Sequence, residues 1–553
     1  MNAVLAALIL LPLLGSALTL APGLFGREPE PAGRRALWFG AVVTGLDLLL
    51  AIVLGVGFDR GHSARMQAVT DIAWIPAIGV RLHLGVDGIS LPLLLLTALL
   101  TFLCAVHSLR RLPDGPGTPS PRAYTGLLLL LETGMLGTFA VLDLILFFLA
   151  FEVVLIPMYF LIARWGGANR GPAATRFILY TLLGSALMLL GFLLLGLKSG
   201  TFDMTVLAHR HGTGLSHGTQ VLVVLAIGLG LAVKAPMWPF HSWLPDAHTA
   251  APTTGSVLLA GVLLKMGTYG FVRVLLPSAP GGMATLAPYL AAFAVAGILY
   301  GSLACLALVR PGAGGDLKRL IAYSSVGHMG FVLLGIATLT ATGVNGALFA
   351  NVAHGLVTGL LFFLVGAVKD RYGTADLDLL AGAGKGADAD SGAALYGRVP
   401  HLGGLLAFAA VASLGLPGLA GFWGELLAMF GSFHPAAGLS RPAYLVFMAL
   451  AGLGTLLTAG YLLSVVRRVC MGDPRSPHLD AAPQTAAPQT AAPHAVGPQT
   501  AAPQAAVPRP ADVQAYEFAA WTPLVALIVL AGLWPAALLG LSNPAVTALL
   551  GGH

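Results

Sequence analysis

The chain predicts an all-α polytopic membrane protein of about 14 transmembrane helices, and three observations carry that expectation. Of its 553 residues, 57% are hydrophobic and 9% are charged, where a soluble domain carries about 25% charged residues. Apolar stretches of about 20 residues, long enough to cross a bilayer as helices, recur along its length. The loops between them distribute arginine and lysine asymmetrically. Division into soluble domains by length therefore does not apply. The net charge of +6 comes from dispersed loop residues, so it marks no nucleic-acid surface. The three cysteines, Cys104, Cys305 and Cys470, have no disulfide or metal-ligand spacing.

The expected spans are 3–24, 36–56, 89–109, 124–142, 144–163, 173–197, 219–234, 255–275, 286–309, 320–339, 343–368, 402–429, 444–466 and 518–541. The first has no basic flank or cleavage site and reads as a retained helix. The seventh is expected to break, because Pro236, Pro239 and Pro245 follow Lys234 and proline removes backbone donors. The twelfth is expected to break at Leu416-Pro417-Gly418. Irregular backbone at that depth survives only where protein or a cavity shields it.

If the N-terminus lies outside and the spans alternate, the inner loops hold 20 Lys and Arg against 7 in the outer loops, among which Arg273 is counted. This satisfies the positive-inside rule and puts both termini outside. The break at Pro236 recurs at Pro417, and polar Glu152 recurs as His328, hinting at two repeats. The expected division is 1–123 for the first three helices, 124–275 and 284–468 for two five-helix repeats, 474–512 for an inner linker rich in Pro, Ala and Gln, and 513–553 for the last helix. Proline every few residues keeps that linker extended.

Ionisable residues inside apolar spans are the candidate functional groups. Lys234 ends the run 221–233, Lys265 sits inside 256–274, and Glu152 and Glu425 also lie in apolar segments. Each charge at mid-bilayer costs roughly 3 kcal/mol, so four cost on the order of 12 kcal/mol. They must be paired, hydrated or neutralised inside a bundle. Burial disfavours the charged form of an acid or base and an opposite charge restores it, so a Glu–Lys pair is poised to exchange protons. His328 and His354, on successive helices, extend the row as relay groups. Glu132 is a deep accessory acid, and Asp143 is interfacial. His241 and His248 do not form an HExxH zinc site. There is no GxGxxG or Walker sequence and no nucleophile–base pair, so the chain itself is expected to bind no cofactor.

Four segments carry a family resemblance. AVKAPMWPFHSWLPDAHTAAPT, DLKRLIAYSSVGHMGF, FEVVLIPMYFLIARWG and SLGLPGLAGFWGEL together resemble the antiporter-like subunits of proton-translocating NADH-quinone oxidoreductase (respiratory complex I). The superfamily also contains subunits of multi-subunit Na+/H+ antiporters and membrane-bound hydrogenases, which are the alternative reading. LIPMYFLIARWG after Glu152, and an acid at Glu425 where sister subunits usually carry lysine, resemble the subunit M (chain 4) branch. The Ala/Gly/Arg-rich bias and the lack of a targeting sequence suggest a bacterial inner membrane. The resemblance implies 14 helices with inverted repeats of helices 4–8 and 9–13. It implies that Glu152 and Lys234 form a switching pair, Lys265 a central relay joined to His328 and His354, and Glu425 the exit-side acid. It implies a non-redox subunit of a translocase, with NADH, FMN, iron–sulfur clusters and quinone held by other subunits. Its partners would be other membrane-arm subunits, including sister antiporter-like subunits, with lipid and protons.

Overall fold

The computed structural model describes residues 1–21, 29–112, 120–381, 394–471 and 511–551. Eleven long helices lead the chain: α1 (Asn2–Leu20), α2 (Pro29–Val56), α3 (Ser90–Ser108), α4 (Pro121–Ala140), α5 (Leu144–Trp165), α6 (Arg170–Ser199), α7 (His217–Lys234), α8 (Thr253–Ser278), α9 (Pro280–Leu308), α10 (Leu317–Ala337) and α11 (Ala341–Tyr372). Then come α12, in two segments (Pro400–Ser413 and Ala420–Phe433), α13 (Arg441–Cys470) and α14 (Ala515–Leu533). Thirteen of the described helices are long and apolar enough to cross a membrane, and α12 adds two 14-residue halves. The chain is a multi-pass membrane protein.

Both expected breaks are present. α7 stops at Lys234, and a short helix, Trp243–Ala250, follows the prolines. Freed carbonyls find new donors: the Met237 N–H donates to Ala232 O at 2.9 Å and Trp243 Nε1–H to Val233 O at 3.1 Å. In α12 the break at 414–419 needs left-handed backbone at Gly415 (φ 73°) and Gly418 (φ 93°), which glycine adopts without steric cost. α5 also bends at Val154, because Pro157 supplies no N–H to the carbonyl four residues earlier.

The core surrounds α8, whose apolar window is wholly buried, with α10 and α11 at 89%. By contrast α13 is 28% buried and lies at the periphery.

Several features depart from the sequence reading. The fold is not purely helical: Gln67–Ile75 (β1) pairs antiparallel with Val80–Val86 (β2) through a turn ending at Gly79. α8 contains two wide turns, Leu259–Leu263 and Phe271–Leu275, which bracket Lys265. The last span ends early at Leu533, and a separate helix, Ala536–Leu549, begins after Pro535. Asp143 stands at the start of α5, buried in protein, and caps that helix by accepting from the N–H groups of Ile145 and Leu146. Arg273 is not a loop residue. It is buried in α8 and ion-paired with Asp87 at 2.5 Å. Of the expected linker, only Ala511 and Asp512 fall within the described residues. Beyond it, Arg371 of α11 grips Glu517 of α14 at 2.5 and 3.0 Å.

Two isolated backbone bridges share one pattern. Asp143 pairs with Asp203, and Asp316 with Asp376, each residue of the second bridge lying 173 positions after its counterpart. All four aspartates cap a helix start.

The hairpin is held by His83, whose Nδ1 lies 2.7 Å from Asp203 Oδ2. Burial opposes the Asp203 charge, but the His83 ring, the Thr205 hydroxyl and the Val206 N–H hold its carboxyl well below the usual carboxylate range. Burial also opposes a charged His83, and Asp203 outweighs it, raising His83 above the ordinary histidine value. The depressed acid contributes stability that is complete above 3.8 and lost as pH falls through its lowered value. The raised histidine contributes stability that is complete below 6.5 and lost as pH rises through its raised value. Hairpin amides, corrected for intrinsic exchange, are therefore expected to be best protected from hydrogen exchange between those limits. His83→Ala should remove the alkaline loss.

Candidate functional site

The buried ionisable residues converge where helices are broken or widened. Lys234 is the last residue of α7, 1% exposed, with no hydrogen-bond partner on its ammonium. It sits 4.6 Å from the centroid of the Phe151 ring on α5. Glu152 is the next residue, half-buried, with Oε1 unpartnered, and its charge is felt by Lys234. The two form no ion pair within 4.0 Å, so the pair stands open.

Lys265 is fully buried in α8. Its ammonium donates to the carbonyl oxygen of Ala260, inside the first wide turn of the helix. Wide turns of this kind displace carbonyls from the regular ladder and recur at functional sites. The same ammonium lies 2.7 Å from His354 Nδ1 on α11, so a charged lysine donates to an imidazole nitrogen. The His354 and His328 rings meet edge to face, centroids 5.8 Å apart. His328 on α10 places Nδ1 3.0 Å from Glu425 Oε1 and Nε2 3.0 Å from Ser413 Oγ. Glu425 Oε2 also accepts from the Thr455 hydroxyl at 3.3 Å. A cavity of about 30 Å³ between His328, His354, Ser413 and Glu425 is large enough for a water.

Four groups thus form one contact chain, Lys265–His354–His328–Glu425, crossing α8, α11, α10 and α12. Glu152 and Lys234 stand beside it. An ideal Cβ on Gly267 would approach Ala235 N and Leu231 O to 2.8 Å, so the end of α7 lies directly on α8 two residues past Lys265. Such a row of bases and acids, each able to hold or release a proton, can pass protons through the bundle.

Glu132 does not join the row. It is fully buried on α4 and meets the carboxyl of Asp47 on α2. Sequence reasoning missed Asp47, although it sits in the apolar span 36–56 and the criterion that found Glu152 applies to it. Lys318, counted as a loop residue, is 3% exposed and donates to Ala251 O at 2.9 Å. His248 is fully buried and stacks on Phe362 at 4.6 Å. No such signal existed for Asn351, which accepts from the Thr268 hydroxyl at 3.0 Å one turn from Lys265. Cys104, Cys305 and Cys470 lie on α3, α9 and α13, and each thiol donates to a backbone carbonyl. They do not form a ligand set.

The fold and this row define an antiporter-like membrane subunit. Residues 141–457 match the family model described as NADH:quinone oxidoreductase/Mrp antiporter, TM, and the chain belongs to that family. It is 37% identical to NADH-quinone oxidoreductase subunit M of Rhodobacter capsulatus, over all of this chain and 97% of that one. It superposes on a chain of respiratory complex I from Thermus thermophilus with TM-score 0.77 and 28% identity, covering 99% of both. A chain of the Mrp complex from Dietzia sp. shares the fold at TM-score 0.77 and 23% identity, covering 99% of this chain and 97% of that one.

The tight contact at Gly267 gives a stability test. Gly267→Ala forces a methyl into backbone, and overpacking of this kind costs about 1–3 kcal/mol. Thermal unfolding of the purified assembly should shift down accordingly, and Gly404→Ala, whose Cβ meets nothing within 4 Å, should not shift it.

Proposed function

We propose that this chain is a membrane-arm proton-translocating subunit of a NADH-quinone oxidoreductase. The contact chain from Lys265 through His354 and His328 to Glu425 carries that reading. Redox chemistry takes place in other subunits, which hold NADH, FMN, iron–sulfur clusters and quinone. This chain contributes protonatable groups and the helices that place them. Its partners are other membrane-arm subunits, sister antiporter-like subunits among them, and its location is a bacterial inner membrane with both termini outside.

The two Asp–Asp bridges support a pair of inverted five-helix repeats, 124–275 and 284–468. With that orientation, Asp143 and Asp203 lie at the outer ends of α5 and α6, and Asp316 and Asp376 at the inner ends of α10 and α11. The broken helices α7 and α12 then occupy equivalent places in the two halves, as in transporters whose sites lie near the midplane.

The energetics favour a switch at Glu152 and Lys234. Unit charges about 4 Å apart at an effective dielectric near 20 interact by roughly 4 kcal/mol. Moving a proton against 100 mV costs about 2.3 kcal/mol. Closing or opening one such pair is therefore large enough to drive one transfer. Lys265 receives the proton, His354 accepts it at Nδ1, a water admitted to the cavity would pass it to His328, and Glu425 takes it at Oε1. Serine and threonine hydroxyls on His328 and Glu425 fix the orientation of the last two groups.

A relay step that loses its proton-carrying group loses tenfold in rate for about every 1.4 kcal/mol added to its barrier. Lys265→Ala and Glu425→Ala, in a complex that assembles and still oxidises NADH, should lose at least about tenfold in coupled proton pumping, read by a pH-sensitive dye in proteoliposomes. Undiminished pumping in both would remove them from the path. Co-purification with NADH-oxidising subunits separates this reading from a Na+/H+ antiporter subunit.

A further inference from the structure

The open Glu152–Lys234 pair has a neighbour that the mechanism above does not use. Lys234 has no hydrogen-bond acceptor, yet its ammonium is placed over the face of Phe151.

We propose that Phe151 is the resting partner of the switch, holding the ammonium while the pair is open. The inference rests on reading Glu152 and Lys234 as proton-carrying groups. Phe151 and Glu152 are consecutive, so on a helix they point about 100° apart. Here the ammonium addresses the ring and lies beyond ion-pair distance of the carboxylate. It must swing from the ring to the carboxylate, a short movement of one flexible side chain. A buried aromatic face attracts a desolvated cation and makes no covalent or proton-transfer demand on it. Leucine at this position would fill a comparable space without that attraction.

Phe151 is a positioning residue: it fixes where the charge waits. Among the described residues, Glu152 is the one charged group that acts on Lys234.

The test measures NADH-driven proton pumping of the assembled complex in proteoliposomes across pH. Phe151→Leu removes the site that favours the charged ammonium, so the alkaline limb should move to lower pH by about one unit, a tenfold change in proton occupancy. Phe151→Trp, which keeps an aromatic face, should retain the wild-type limb. Should Phe151→Leu fail to assemble, a ring-fluorinated phenylalanine at 151 keeps the shape, weakens the ring's negative face and should give the same alkaline shift. An unchanged alkaline limb in the residue-151 variants, alongside loss of pumping in Lys234→Ala, overturns this inference and leaves the relay intact. Normal pumping in Lys234→Ala and Glu152→Gln would instead overturn the underlying reading of the pair.

Discussion

The structure depends on one constraint: ionisable side chains held where no bulk water can reach them must be satisfied by the protein itself. Lys265 is the extreme case. It is fully buried in the most enclosed helix of the bundle and has two partners, a backbone carbonyl and an imidazole. A lysine in that position with neither partner would be driven to the neutral form or would destabilise the bundle. The same contact leaves Lys265 and His354 one proton transfer apart.

Backbone irregularity supplies much of what the side chains need. A regular helix spends all its interior carbonyls on its own ladder. α8 releases one to Lys265 through a wide turn, α7 ends at Lys234, and the break in α12 comes directly after Ser413, which contacts His328. Each irregularity lies inside the bundle, where neighbours shield it, as the bilayer requires. Aspartates at the helix starts serve the opposite purpose, closing the ends of α5, α10 and two short helices with side-chain caps.

Much of this was legible in the sequence, for a physical reason. A charge inside an apolar run is costly wherever it points, so the depth of Lys265 followed from spacing, as did the breaks at Pro236 and Pro417; spacing left Lys234 and Glu425 open to positions nearer the surface, and both are buried. What spacing could not convey was direction around a helix. Glu132 is as deep as expected, but it faces α2 and meets Asp47 instead of joining the row. Arg273 looked like a loop charge, because the sequence does not reveal that the second wide turn of α8 carries it inward to Asp87. The wide turns have no compositional signature. The hairpin was hidden because residues 67–75 mix polar and apolar positions without clean alternation, half of that strand facing outward.

The central claim is that these groups form one hydrated proton thread and not a set of isolated buried charges. The most direct measurement is the location of ordered water in a high-resolution experimental structure of the assembled complex. The account predicts water in the cavity between His354, His328 and Glu425, and a water connection between Lys234 and Lys265 across the contact of α7 and α8. A dry apolar gap at both places, with every ionisable group satisfied only by its immediate neighbours, would contradict it.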